Sequence, residues 1–360
     1  MFATPPLPKL VASLADPARS VGERMRAVYY LKQTYTTATK DGDSEAVATV
    51  LSAMELNLSN KEHGKLLRHE IAYVMGQLKD YRCLLALASV LDDGEDDCIA
   101  RHECAEAIGA IVTSKVTAES AVAVQSLRRN YASEEASPVE VRETCRIAID
   151  FIDWKTSTSS QEEYNAPMAC ACMLSSYDST DPAPPHPAHE NLSHEEIGEQ
   201  MRDEARELFE RYRCMFSLRN KGGSEAAKEL GRALVEDKSS ALFRHELAFV
   251  LGQLQHVDGL DFLVQSLERE GEHEFVRHES AEAIGAIDGD WDKCERILVK
   301  FKQDHDLIVR QSCEVALDAM DYFGVDRKDT FRAIKNDSTV TSHFNIACKR
   351  PVKAAEAVTP

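Results

Sequence analysis

The sequence predicts an all-α protein, an α-solenoid of helix pairs in two duplicated lobes that face each other. Two observations support this fold class. A motif of Arg, His and Glu recurs four times within apolar patterns of helical spacing, and the four copies form two equally spaced pairs. A stretch rich in Pro, Ser and Thr separates the two pairs. At 360 residues, the chain is long enough for two domains that each bury a core.

The repeated motif defines the duplication. The two histidines of the first pair are 33 residues apart, as are those of the second pair, and an offset of 176 residues relates the two halves. In each half the first copy continues to Gly-Gln-Leu and the second to Gly-Ala-Ile. The four copies are Arg68-His69-Glu70, Arg101-His102-Glu103, Arg244-His245-Glu246 and Arg277-His278-Glu279. This agreement indicates that a unit of two repeats was duplicated.

Each copy is predicted to lie on a helix with one apolar face. In the fourth copy, apolar residues recur largely at steps of three and four, at Phe275, Val276, Ala281, Ile284 and Ile287. Small residues at the equivalents of Gly76 and Gly109 would let neighbouring helices approach closely. Asp97 and Ser240 are predicted to cap the second and third of these helices.

Flanking helices are expected on both sides of each pair. Apolar-Arg patterns indicate them at 24–31, 141–145, 211–218 and 309–313. Each lobe would then hold about four helix pairs, enough for a solenoid whose repeats cannot bury their faces alone. The pattern resembles the second helix of a HEAT repeat, and this resemblance implies a HEAT-like solenoid.

We therefore divide the chain into four parts. The N-terminal HEAT-repeat lobe is predicted at 1–154, a flexible linker at 155–195, the C-terminal HEAT-repeat lobe at 196–325 and an irregular tail at 326–360.

Composition narrows the classes of function. The formal net charge of −19 argues against a nucleic-acid binder, which needs a basic face, and suits a cationic partner. The same acidity could equally serve solubility alone. No apolar run approaches the roughly 20 residues that span a bilayer, and the N-terminus lacks the features of a signal peptide. We expect a cytoplasmic protein without membrane contact.

The His-Glu pairs are predicted to hold metal ions. Imidazole nitrogens and carboxylate oxygens suit iron, manganese or zinc, and the residue types do not decide among the three. Helices one repeat apart pack about 10 Å from each other, so their side chains can converge, and two facing lobes would supply donors for two metals. The alternative is that duplication copied a structural pair. We favour the metal because the residue directly after each pair varies, being Ile71, Cys104, Leu247 or Ser280.

The sequences of the four motifs resemble those of the deoxyhypusine hydroxylases. The similar segments are LLRHEIAYVMGQL, RHECAEAIGAI, LFRHELAFVLGQL and VRHESAEAIGAI, and the resemblance covers roughly residues 20–325. It implies an enzyme that uses molecular oxygen and two iron ions, without an organic cofactor, to complete hypusine on translation initiation factor 5A. A peroxo species bridging the two irons would be the oxidant.

The resemblance also implies a role for each motif residue. One iron would be held by His69, His102 and Glu103, and the other by His245, His278 and Glu279. The remaining carboxylates, Glu70 and Glu246, would be the catalytic residues that receive the cationic deoxyhypusine side chain.

Two other interpretations of these residues remain open. A binuclear hydrolase would keep the metals and consume no oxygen. A solenoid that only binds a cationic partner would hold no metal.

Overall fold

In the computed structural model, residues 4–113, 117–135, 137–157, 177 and 179–323 are described. Within them the chain forms helices and no β-strand, which confirms the all-α prediction. The α-helices of these ranges are α1 (Leu7–Ala15), α2 (Val21–Asp41), α3 (Ser44–Ser59), α4 (Lys65–Leu78), α5 (Leu84–Asp92), α6 (Cys98–Ile111), α7 (Ala118–Ala132), α8 (Val139–Thr156), α9 (His194–Arg202), α10 (Leu208–Lys221), α11 (Gly223–Glu236), α12 (Ala241–Leu254), α13 (Leu260–Glu268), α14 (Glu274–Ala286), α15 (Trp291–Phe301) and α16 (Leu307–Phe323).

The helices form consecutive antiparallel pairs, four in each lobe, as a HEAT-like solenoid requires. Each odd-numbered helix packs against the even-numbered helix that follows it. The even-numbered helices of a lobe also stack on each other, so that α4 lies against α6 and α12 against α14. These four inner helices carry the four motifs, and the predicted caps Asp97 and Ser240 accept hydrogen bonds from Ile99 N and Phe243 N.

A glycine in each motif helix allows the inner helices to approach closely. A Cβ atom placed on Gly76 would lie 3.0 Å from the Cα atom of Ala107 in the next inner helix. The equivalent contacts are Gly109 with Ala148, Gly252 with Ala283 and Gly285 with Ala316. Because such contacts are tighter than most real Cβ contacts, a side chain at these positions would require the neighbouring helix to shift by a few tenths of an ångström.

The motif arginine points away from the inner surface and ties the repeat together. Arg68 donates from Nε to the Leu58 carbonyl at 2.6 Å and from its two Nη atoms to Asp96 at 2.6 and 2.5 Å. Arg101 and Arg277 donate in the same way to a carbonyl ten residues earlier. With the arginine held on the outer side of the helix, the following His and Glu face the inner surface.

The two lobes close into a ring. The last helix of the first lobe, α8, contacts α10 and α12, and the last helix of the second lobe, α16, contacts α2 and α4. Ser240 donates to Glu143 at 2.7 Å across one junction, and the ion pair of Lys65 with Glu274 joins the lobes elsewhere. The inner surfaces of both lobes therefore face a shared centre.

Part of the predicted flexible linker packs on the second lobe. Asp181 forms two hydrogen bonds with the buried Arg219 of α10, at 2.7 and 2.5 Å. Arg213 donates to the carbonyls of Pro184 and Pro185, which lie in the same segment. The first two residues of the predicted linker belong to α8 and the last two to α9. Linker residues 158–176 and 178, and the whole tail predicted at 326–360, lie outside the described residues. The division into domains stays a prediction.

The structure offers no candidate for a membrane span, because none of the helices in the described ranges is both long and apolar enough to cross a bilayer.

Candidate metal centre

The four motif histidines meet between the lobes. His69, His102, His245 and His278 lie on α4, α6, α12 and α14, and all four are buried. The ring centroids of His69 lie 5.4 Å from His102 and 5.5 Å from His278, and those of His245 lie 5.2 Å from His102 and 5.3 Å from His278. Side chains far apart in the sequence therefore converge on one small volume.

Two of the motif carboxylates lie among these rings. Oε2 of Glu103 is 3.2 Å from Nε2 of His69 and 3.5 Å from Nε2 of His102. Oε2 of Glu279 is 3.6 Å from Nε2 of His245. The structure thus brings each predicted ligand trio together, although their role as ligands stays a prediction.

The donor atoms form compact groups, one of which crosses the lobe boundary. Among the described residues, three sets have one donor atom from each residue within 4.8 Å of the others. They are His245 with His278 and Glu279, His69 with His102 and His245, and His102 with Glu103 and Glu106. The first set is the trio predicted for the second lobe. The second shows that the two predicted trios share one centre.

The hydrogen bonding of the imidazoles fits a metal. Among the described residues, both ring nitrogens of His69, His245 and His278, and Nε2 of His102, are buried without a hydrogen-bond partner. Buried polar atoms without partners are rare, and a bound cation is one of the reasons for them. Burial lowers the pKa of each of these histidines, so the rings stay neutral and keep a lone pair for coordination.

The carboxylates point to the same conclusion. Burial raises the pKa of Glu103 to about 8, and burial followed by the charge of Glu282 raises that of Glu279 well above its usual value. Several carboxylates buried side by side destabilise their charged forms unless a cation is present. The residues at this centre therefore fit divalent metal ions.

Neighbouring side chains fix the orientation of the rings. The Phe275 ring lies 4.5 Å from that of His102 and 5.1 Å from that of His245, measured between centroids. Thr144 Oγ1 lies 3.4 Å from Nδ1 of His102. Such contacts limit the rotation of an imidazole before it binds a metal.

Glu70 and Glu246 line a cavity beside the centre. Both are buried, and the hydroxyl of Tyr29 donates a hydrogen bond to Glu70. Burial and then the charge of Glu282 raise the pKa of Glu70 to about 7. One oxygen of Glu246 is buried without a partner among the described residues.

Four further residues line this cavity that we did not predict as site residues. They are Tyr73, Glu106, Phe249 and Glu282. Each stands four positions after a motif histidine, on the same helical face, so the repeat itself could have indicated them. Within the described part of the chain, the cavity lining contains six glutamates, two histidines and two aromatic rings, and no Lys or Arg.

Comparison with known proteins agrees with this geometry. A family model for HEAT repeats matches residues 227–318. The deoxyhypusine hydroxylase of Mus musculus is 38% identical over 313 residues, covering 86% of this chain and 90% of that protein. The deoxyhypusine hydroxylase of Homo sapiens is 37% identical over 310 residues, covering 86% and 89%.

A solved structure supports the same relationship. The structure of human deoxyhypusine hydroxylase in complex with glycerol matches with a TM-score of 0.71 and 35% identity, covering 88% of this chain and 96% of that chain. Identity of this order over nearly the whole length of the relatives, together with the fourfold His-Glu centre, shows the relationship. The chain belongs to the deoxyhypusine hydroxylase family of enzymes.

Proposed function

We propose that this chain hydroxylates the deoxyhypusine side chain of translation initiation factor 5A with molecular oxygen, and that it holds two iron ions to do so. One observation carries the proposal: eight His and Glu side chains from four equivalent helices converge between the lobes, and most of their imidazole nitrogens have no hydrogen-bond partner among the described residues. The family of the relatives supports the reaction.

Six residues would hold the metals. His69, His102 and Glu103 would bind one ion, and His245, His278 and Glu279 the other. The short separations between Glu103 and the two first-lobe histidines support the first trio, and the 4.8 Å grouping supports the second. When bound, the two ions would supply the activation of oxygen that no side chain can provide. Imidazole and carboxylate donors resist oxidation better than thiolates, which suits such a site.

Glu70 and Glu246 would bind the substrate. Each follows a histidine ligand directly, so it projects about 100° around the helix from that ligand, into the cavity. The deoxyhypusine side chain carries ammonium groups, and a buried carboxylate forms strong, charge-assisted hydrogen bonds with them. Among the described residues that line the cavity there is no Lys or Arg, so a cationic side chain entering it meets mainly carboxylates.

The aromatic residues would hold the carbon chain between the amines. The rings of Tyr73 and Phe249, at equivalent positions of the two lobes, have centroids 6.1 Å apart. They offer apolar surface to the methylene groups and an electron-rich face to a cation. This arrangement would place the side chain beside the metals while excluding bulk water.

The test combines two readouts on purified protein. After loading with ferrous iron without oxygen, the protein is mixed with deoxyhypusine-containing factor and oxygen, and the factor is measured by mass spectrometry. A gain of one oxygen atom on the modified lysine, with oxygen consumed, is the expected result. Conversion of the factor without oxygen consumption, or full conversion with zinc in place of iron, would contradict the proposal and indicate hydrolysis.

A further inference from the structure

We infer that the cavity binds its substrate in one direction, and that Glu246 and Glu106 receive the terminal primary ammonium group of the side chain. The inference rests on the proposed function and deepens it. Two carboxylate pairs, which the duplication places at equivalent positions, differ in the hydrogen bonds that they accept from the protein.

Four carboxylates that line the cavity are compared as two pairs, each with one member from each lobe. Glu70 and Glu282 form the first pair, and burial and then the charge of Glu282 raise the pKa of Glu70. Glu246 and Glu106 form the second pair, and burial and then the charge of Glu106 raise the pKa of Glu246. Glu70 and Glu246 occupy equivalent positions of the two lobes, as do Glu106 and Glu282. The pseudo-twofold symmetry of the ring therefore exchanges the two pairs.

Protein hydroxyl groups already bind the first pair. Tyr29 donates from its hydroxyl to Glu70 Oε1, and Ser312 donates to Glu282 Oε1 at 2.8 Å. Each carboxylate of this pair thus accepts one hydrogen bond from the protein, which fixes its orientation and uses part of its acceptor capacity.

The residue equivalent to Tyr29 in the second lobe has no hydroxyl group. Arg24 and Arg211 fix the alignment of α2 with α10, because each donates from Nε to a carbonyl ten residues earlier. Five positions after these arginines stand Tyr29 in α2 and Phe216 in α10. Phe216 therefore cannot donate to Glu246 as Tyr29 donates to Glu70.

The residue equivalent to Ser312 in the first lobe uses its hydroxyl elsewhere. The matching sequences of α8 and α16 align Thr144 with Ser312. Thr144 Oγ1 donates to the carbonyl of Glu140 at 2.8 Å, one turn earlier in its own helix. Thr144 therefore does not donate to Glu106 as Ser312 donates to Glu282.

The second pair is left with acceptor capacity for a ligand. Oε1 of Glu246 is buried and has no hydrogen-bond partner in the described part of the chain, and the residue is only 2% exposed. Arg219 lies on this side, and its guanidinium donates to Asp181, at 2.7 and 2.5 Å, to Gln253 and to Asn220. A buried carboxylate oxygen without a donor is costly, and a cationic N–H group from a ligand would satisfy it.

The two amines of the substrate differ in their number of N–H donors, as the two carboxylate pairs differ in their number of open acceptor sites. A primary ammonium group has three N–H donors, and a secondary ammonium group within a chain has two. The pair with more open acceptor sites, Glu246 and Glu106, matches the primary ammonium. The pair that already accepts two hydroxyl bonds, Glu70 and Glu282, matches the secondary ammonium.

A competing role for Glu106 is metal coordination. One of its oxygens lies within 4.8 Å of donor atoms of His102 and Glu103. Glu282 gives a matched control, because it holds the equivalent position in the other lobe. Conversion of either glutamate to glutamine preserves size and removes the charge.

The experiment compares the iron-loaded wild-type protein with its Glu106→Gln and Glu282→Gln variants, all without oxygen. The probe is 1-aminobutane, which carries a single primary ammonium group, and calorimetry gives its dissociation constant. We expect Glu106→Gln to weaken binding by about tenfold or more, because a charge-assisted hydrogen bond is lost, and Glu282→Gln to weaken it by less than about threefold. Both variants should keep the iron content of the wild type.

Three results would overturn the inference: equal weakening by the two substitutions, loss of iron from Glu106→Gln, or no binding of 1-aminobutane to the wild-type protein. Hydroxylation of the deoxyhypusine-containing factor by the wild-type protein is measured in parallel. This measurement shows whether the binding direction or the proposed reaction is refuted. Hydroxylation with equal weakening would refute only the direction of binding. Unequal weakening without hydroxylation would refute the reaction and keep the primary-amine site.

Discussion

The rings of His69 and His245 lie with their centroids 6.0 Å apart, although 176 residues separate them in the chain. They are the first motif histidines of the two lobes, so the centre exists only where the lobes face each other. Each lobe alone supplies half of the donor atoms. Folding of the ring and formation of the site are therefore coupled, and a bound metal should stabilise the junction between the lobes.

Replacement of Glu70 or Glu246 by alanine should raise the KM for the deoxyhypusine-containing factor while iron is retained. Both side chains line the cavity beside the ligand trios, and their loss removes charge-assisted hydrogen bonds, each worth about 1.5–3 kcal/mol. Iron content by elemental analysis and steady-state kinetics check this. Glu103→Ala is the matched control, since it should lose iron; iron loss from Glu70→Ala would contradict the assignment.

Iron binding should release protons and tighten as the pH rises. Burial raises the pKa of Glu103 to about 8, so below that pH the metal-free carboxyl holds a proton that the metal must displace. The histidines add no such protons, because their pKa values are lowered and the rings are neutral. Below the raised pKa, the iron affinity increases about tenfold per pH unit for each proton that binding releases. Calorimetry in buffers of different ionisation enthalpy, from pH 6 to pH 8, measures the release; affinity independent of pH would contradict the prediction.

Replacement of Asp181 by alanine should destabilise the protein by about 3–5 kcal/mol, because it removes the bidentate partner of a fully buried guanidinium. Urea unfolding measures the change. Glu268, which pairs with Lys300 on the exposed surface, gives the control, and Glu268→Ala should cost less than about 1 kcal/mol. Equal effects of the two substitutions would show that the segment around Asp181 contributes little to the fold.

Replacement of Gly285 by alanine should destabilise α14 by about 1–3 kcal/mol despite the higher helix propensity of alanine. The new Cβ would lie 2.7 Å from the Cβ of Ala316 and push α14 away from α16. Because α14 also carries His278 and Glu279, iron affinity should fall together with the melting temperature. A rise in melting temperature would show that the helices can separate without cost.

The repeated motif predicted most of the fold, because its spacing indicates both the helical period and the duplication. The convergence of His69, His102, His245 and His278 followed from stacking of equivalent helices. The packing of Asp181 on Arg219 could not be predicted, since a Pro-rich segment looks like a tether until the buried arginine that holds it is known. Glu106 and Glu282 were missed because only the first two positions of each motif were treated as functional.

The most direct test of the account is the number of iron ions per chain, measured by elemental analysis of purified wild-type protein beside His102→Ala and Glu279→Ala. These substitutions remove one ligand from each trio. We expect about two irons per wild-type chain, and a loss of iron together with a loss of turnover in both variants. Unchanged iron content and full activity in His102→Ala, or a wild-type protein that binds no metal after iron is supplied, would contradict it.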